Sequence, residues 1–424
     1  MAHDAPPSPA TDASAADAAP AGRPPRSAAL AFIFVAVTID TIAMGITAPV
    51  LPRLIEHMAG GQQAGWMNGL FMTVFALMQF LFSPILGALS DRYGRRPILL
   101  LSIAGMGLSY VGMAMATNIW ELLLIRLLTG ATSANIATAF AYIADVTPSD
   151  RRAGAYGLMQ ASMSAGFALG PAVGAGFLIL GPTAPFWAAA GFSMINAAYG
   201  FFVVPESLTQ ERRSPFHFRL GSFNAVGVLR EQAGLLRLSM ILMLAQFATM
   251  VFPTVFVLYA LHRYGWGMGA VTTCLTAFGC CSFVVQAGLS GRLVRRFGEG
   301  KIVVFGVVCA VVGTAVFGLA PTGMLFAVGI PIMTVSGVAA PAVQSLMTRR
   351  VSASEQGRLQ GANTSLQAVA GIIAPLLFGW VYTVSTTASA TAGKAVLGAP
   401  FLVASAFLLA SVFLALNTQR KAAP

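Results

Sequence analysis

From residue 28 onward the chain is a series of long apolar runs separated by short polar breaks. Twelve runs occupy roughly 28–52, 64–88, 97–116, 119–142, 154–180, 183–204, 236–260, 267–290, 301–320, 323–346, 358–382 and 397–416. In a helix, about 20 apolar residues cross a hydrocarbon layer of about 30 Å. Strands of a membrane barrel would alternate apolar and polar residues over about 10 positions. These runs do not alternate, so the pattern predicts an all-α integral membrane protein of twelve transmembrane helices. The longest polar break, 205–235, divides them into two six-helix bundles, 27–204 and 236–417. Residues 1–26, rich in Ala, Pro, Ser and Asp, read as a disordered tail, and 418–424 as a second tail. The first apolar run is of full spanning length, so it reads as a retained helix and not as a cleaved signal peptide.

Composition agrees with the pattern. The 424 residues are 57% hydrophobic and only 9% charged, against about 45–50% and about 25% for soluble domains. Charge then sets orientation, because cytoplasmic loops collect Lys and Arg. With both termini inside, all of the 25 basic residues face the cytoplasm except Arg53, Arg263 and Lys394 outside and Arg126 within a span. The net charge of +11 is thereby a topology signal and calls for no nucleic acid. Cys274, Cys280, Cys281 and Cys309 all lie in apolar runs without a CxxC pair, so no disulfide framework or metal site is expected.

The sequence echoes itself at an offset of 204. Gly87 and Gly94 meet Gly291 and Gly298, Gly157 meets Gly361, Pro171 meets Pro375, and Pro49 meets Pro253. A duplicated six-helix unit with a substrate site between the halves is a transporter architecture. The expected fold is therefore two pseudo-symmetric six-helix bundles.

Two motifs carry more than topology. The break between helices 2 and 3 reads "GALSDRYGRRP", with Gly87, Asp91, Arg92, Gly94, Arg95 and Arg96. It resembles the signature loop of the major facilitator superfamily. That resemblance implies a cytoplasmic gate in which Asp91 faces the positive end of another helix, helix 11, and neighbouring arginines. Topology anchoring alone is the other reading of the arginines. In helix 5, Gly157, Gly166, Gly170, Pro171 and Gly174 resemble the antiporter signature of proton-coupled drug exporters; the alternative is ordinary close packing of small residues. "TIDTIAMGITAPVLP", "PESLTQERR" and "SLMTRRVSASEQGRLQGANTSLQAVAGIIAPLLFG" extend the likeness to the tetracycline-efflux branch.

An ionisable group within a bilayer marks function by default. Asp40 is the clear deep carboxylate and Arg126 the clear deep cation, roughly 18 Å and roughly 24 Å from the cytoplasmic helix ends at 1.5 Å per residue. The expectation is that ionised Asp40 pairs with Arg126 or with a cationic substrate, and that protonation from outside releases that partner. A permanent structural ion pair is the alternative. One proton crossing about 100 mV and about one pH unit releases roughly 3.7 kcal/mol, enough for a roughly 400-fold substrate gradient at one-to-one exchange.

For the substrate cavity, Gln79, Gln246 and Gln286 match glutamines of tetracycline exporters, and Asn363 is a further candidate. Interhelical hydrogen bonds are the competing role. Ser109, Ser282 and Ala310 stand where that branch carries an aspartate, a histidine and an aspartate. Tetracycline travels as a divalent-metal chelate, so any metal would arrive with the cargo, and no cofactor is expected. The resemblance implies a drug–proton antiporter whose cargo is tetracycline-like or another amphipathic drug; the three departures count against tetracycline and leave the antiporter standing, with a different antibiotic or an endogenous metabolite as the alternative cargo. An uptake symporter is disfavoured by the helix 5 signature. An ATP-driven pump lacks its phosphate loop, and an enzyme lacks a nucleophile with a base at membrane depth. The implied location is the inner membrane.

Overall fold

The computed structural model describes residues 26–148, 151–208, 210, 213, 234–351 and 356–420. The outer parts of both expected tails and most of 205–235 lie outside the described residues. Eleven helices among them are long and apolar enough to cross a membrane: α1 (Leu30–Ala59), α2 (Gly61–Tyr93), α3 (Arg95–Met115), α4 (Ile119–Val146), α5 (Gly154–Leu180), α6 (Ala184–Val203), α7 (Leu235–Tyr264), α9 (Glu299–Leu319), α10 (Gly323–Thr348), α11 (Leu359–Ala392) and α12 (Lys394–Asn417). The twelfth, α8 (Met268–Val284), is shorter because a π-helical turn at Val285–Leu289 interrupts it before a final segment, Ser290–Phe297.

The repeat is visible in the backbone. The third helix of each half runs 95–115 and 299–319, the same interval displaced by 204. Before each stands a glycine with positive φ, Gly94 at 111° and Gly298 at 80°, a conformation that side chains disfavour. The fourth helix of each half breaks at its middle, α4 at Ser133–Ala134 and α10 at Ser336–Val338. The first helices break alike, α1 after Thr47 and α7 at Met250.

Lipid is as apolar as leucine, so close packing and hydrogen bonds, not hydrophobic exclusion, hold such helices together. Asn196 Nδ2 donates to the Ala36 carbonyl at 2.8 Å, joining α6 to α1. In the C-terminal half an aromatic cluster forms the core, with Phe317 stacked on Phe326 at 4.3 Å and Tyr259 against Phe401 at 5.0 Å. Large apolar side chains such as Phe202 and Met324 are more than 80% exposed, as a lipid-facing surface requires.

The halves meet on one side of the membrane. Asn68 Nδ2 donates to the Thr254 carbonyl at 2.5 Å, Thr73 Oγ1 to the Ile372 carbonyl at 2.7 Å, and the Trp66 amide to Thr383 Oγ1 at 2.8 Å. Gly65 and Gly69 of α2 lie against Gly379 and Pro375 of α11 so closely that a Cβ on either would collide. These contacts run from the middle of the helices, at Ile372 and Pro375 of α11, to the ends of α2, α7 and α11 away from the arginine-rich loops. Toward the arginine-rich end, a Cβ on Gly87, Gly157, Gly291 or Gly361 would meet nothing within 4 Å. Among the described residues the interior therefore opens toward the arginine-rich loops and is shut at the opposite face.

Candidate functional site: a buried carboxylate clamped between helices 1, 4 and 5

Asp40 lies in α1 and is only 3% exposed. The break in α4 starts a new helical segment at Asn135–Val146, and its first residue, Asn135, donates its side-chain amide to Asp40 Oδ2. The first turn of a helix has amides free to face an anion. Asp40 Oδ1 is also buried and has no partner. Beside the carboxyl is a small apolar cavity lined by Ala36, Val37, Leu99, Ile103 and Ile136.

The glycine motif of α5 sits directly on this part of α1. A Cβ on Gly166 would strike Thr41, one on Gly170 would lie 2.7 Å from the Gly45 carbonyl carbon, and one on Gly174 would lie 2.7 Å from the Ile46 carbonyl oxygen. Pro171 reaches Gly45 as well. Three glycines at four-residue spacing form one face of α5, and that face presses on the helical turns following Asp40. Gly157, the first residue of the motif, is exposed and stands apart from this contact.

Arg126 does not meet Asp40. Its guanidinium lies 5.4 Å from the centre of the Phe75 ring of α2, and its Nε is buried without a hydrogen-bond partner. The expected ion pair is thus absent in this conformation. Asp40 meets the second segment of α4, whereas Arg126 lies nine residues, or about 13 Å of helix, before Asn135. Tyr110, only 4% exposed, is in electrostatic reach of both charges.

The α2–α3 loop is knitted into its own half. Arg95 reaches Asp91 at 2.5 Å and Asp145 of α4 at 3.0 Å. Glu206 accepts the backbone amides of Arg95 at 2.9 Å and Arg96 at 3.2 Å, and its carboxylate fills the space a Cβ on Gly94 would need. Arg96 donates to the Phe201 carbonyl, and Arg92 lies over the Tyr93 ring. Asp91, expected to face the start of helix 11, is instead held by Arg95 and is half exposed. Residues 352–355, which precede that helix, lie outside the described residues.

The four cavity candidates separate. Asn363 is 1% exposed; its Oδ1 accepts from Ser239 at 2.7 Å and its Nδ2 approaches Met347 Sδ at 3.6 Å. It joins α7 to α11 inside the C-terminal half and does not face a cavity here. Gln79 is half-buried and donates to the Ser133 carbonyl at 3.3 Å, at the break of α4. Gln246 is half-buried in α7, and Gln286 is exposed on the π-turn after α8. Ser109 is spent on its own helix, donating to the Gly105 carbonyl at 2.8 Å. Sequence reasoning missed Asn135, Tyr110 and Thr41. The signal for Asn135 was present as the polar pair Ser133 and Asn135 inside an apolar run.

Two six-helix halves related by an internal repeat are a transporter architecture. The chain belongs to the Major Facilitator Superfamily, whose description matches residues 33–375. It is 34% identical to the class C tetracycline resistance protein of Escherichia coli over 365 residues, covering 85% of this chain and 91% of that protein. It is also 34% identical to the class G tetracycline resistance protein of Vibrio anguillarum, covering 87% and 92%. Among solved structures, the human organic anion transporter MFSD10 superposes with a TM-score of 0.70 at 23% identity, covering 93% of this chain and 100% of that one. An inward-facing, occupied bacterial homologue of the human lysosomal transporter Spinster superposes with a TM-score of 0.72 at 14% identity, covering 94% and 97%. At those identities the structures speak for the fold alone.

Proposed function

We propose that the chain is a proton-coupled efflux antiporter that exports tetracycline-like or other amphipathic drugs across the bacterial inner membrane, with both termini cytoplasmic. The resistance-protein relatives support drug efflux, and the arginine-rich loops support the orientation. In that orientation the conformation is open to the cytoplasm. The observation that carries proton coupling is Asp40, a buried carboxyl with one hydrogen bond, one unpartnered oxygen and no cation beside it. That free oxygen is the atom on which the proton rides. Because α5 clamps the same stretch of α1, gain or loss of the proton is felt where helices 1 and 5 must slide as access changes. Arg126 then serves the cargo or a later state of the cycle, pairing with Asp40 only after rearrangement. The partners are a small-molecule drug, protons and lipid.

A second reading concerns only the cargo. Among the described residues Arg126 is a deep guanidinium without an acid partner, while Ser109, Ser282 and Ala310 remove the acidic and imidazole groups suited to a metal chelate. Both features favour an amphipathic drug bearing an acidic group over a metal–tetracycline complex. The test is drug transport in proteoliposomes under an imposed proton gradient, run compound by compound. Substrate-linked proton release is expected from the wild-type protein and not from Asp40→Asn. Uphill transport by Asp40→Asn at the normal rate overturns the assignment.

A further inference from the structure

The closed face contains a charged contact of a different kind from its neighbours. His262, at the end of α7, places Nε2 2.8 Å from Glu56 Oε1 at the end of α1. Its Nδ1 is 2.8 Å from the Tyr382 hydroxyl of α11, with the two rings nearly parallel at 13°. Glu56 belongs to the N-terminal half, and His262 and Tyr382 to the C-terminal half. Among the described residues this is the ion pair that crosses between the halves; Asn68–Thr254, Thr73–Ile372 and Trp66–Thr383 are neutral hydrogen bonds. The His262 side chain is 35% exposed and that of Glu56 is 20% exposed, so water at this face can deliver a proton.

We propose that Glu56, His262 and Tyr382 form a proton-binding clasp that holds the outer mouth shut more firmly when the outside medium is acidic. The word outer rests on the orientation proposed above; the clasp itself does not depend on the role of Asp40. Imidazole is the side chain that changes charge in mildly acid water. With the ring neutral, Nε2–H donates to Glu56 and the Tyr382 hydroxyl donates to Nδ1. With the ring protonated, both nitrogens donate, Tyr382 accepts, and the contact with Glu56 becomes a full ion pair. Attraction is therefore added to a contact that exists only while the mouth is closed, so acid shifts the population toward closure. A partly exposed pair of this kind shifts such an equilibrium about two- to fivefold.

Of the surrounding groups only His57, exposed at the end of α1, is also an imidazole, and the His262→Gln variant below separates the two. Arg263 and Tyr264 of α7 are engaged with the Ala320 carbonyl at the end of α9, at 3.4 and 2.9 Å. Tyr259 donates to the Phe317 carbonyl at 2.8 Å. Arg53 and His57 are the other charged or titratable groups at the end of α1, and Lys394 opens α12; α2 contributes only Gly65 and its neighbours, without a titratable group. The direction is also the useful one for an antiporter, since a proton arriving from outside then promotes the return to the inward-open state.

The experiment uses spin labels at Gln62→Cys and Thr322→Cys, both exposed at the closed face of opposite halves, with the four native cysteines replaced by alanine. Distances are read by double electron–electron resonance on the protein in liposomes, without drug, at pH 8 and pH 5.5. The closed-to-open population ratio is expected to rise about two- to fivefold in acid. His262→Gln removes the group that changes charge and Glu56→Gln the anion that the charged ring attracts, each leaving a hydrogen bond possible, and both are expected to abolish the response while Asp40→Asn retains it. An unchanged ratio in the parent, or a response that survives His262→Gln, overturns the clasp, as does one lost only in Asp40→Asn. Because no drug is present, failure of the drug–proton assignment leaves this readout intact.

Discussion

Arg95 and Asp145 form an ion pair at 3.0 Å that ties the loop after α2 to the end of α4. Displaced by 204 residues, Glu299 and Arg349 form the same pair at 3.0 Å with the charges exchanged. Ser345 Oγ adds a hydrogen bond to Glu299 at 2.6 Å. The repeat has thus kept the staple and inverted its sign. The N-terminal half consequently carries acidic groups, Asp91 and Asp145, around its loop, where the C-terminal half carries Arg295 and Arg349.

The staple predicts a charge-swap rescue. Arg95→Ala leaves Asp145 without its cation and is expected to cost about 1–3 kcal/mol of stability, read as a lower melting temperature of the purified protein. The double variant Arg95→Glu with Asp145→Arg, which copies the C-terminal half, recovers part of that loss. No recovery would mean that the amide contacts from Glu206 dominate the loop.

The contact of α5 on α1 predicts a graded series. Gly170→Val places two methyl groups and a Cβ against Gly45, and overpacking of this kind costs about 1–3 kcal/mol. It is expected to cut transport more than tenfold. Gly157→Ala, at a position with open space, is expected to leave transport within about twofold of normal in the same vesicle assay.

Asn135 is expected to act through Asp40. Asn135→Leu removes the hydrogen bond to the carboxyl, worth about 1.5–3 kcal/mol to a charged partner. The pH at which transport is half-maximal then moves, while drug binding measured at fixed pH changes little. An unaltered pH profile with normal expression counts against the pairing.

Asn363 is expected to behave as a structural residue. Asn363→Leu strands the Ser239 hydroxyl between α7 and α11 and lowers stability by about 1–3 kcal/mol. The order of preference among drugs stays the same. A changed order in a resistance panel would instead put Asn363 in the cavity in another state of the cycle.

Much of this molecule is local and therefore legible along the chain. Apolar runs of spanning length determined the twelve helices, and helix ends fell where Gly94 and Gly298 end the runs. Duplication was readable because matched glycines and prolines keep their spacing. Asp40 and Arg126 stood out because charge is costly in lipid at any position. Partnership was not legible, since it depends on how helices are rotated and where they break. The interruption of α4 brings Asn135, and not Arg126, to Asp40. The face that α5 turns toward α1 engages Gly166, Gly170 and Gly174 but leaves Gly157 out. Which side of the membrane is open, and with it the meeting of Glu56 with His262, follows from the packing of two halves against each other. No single stretch of sequence contains that balance, so only the tertiary structure decided it.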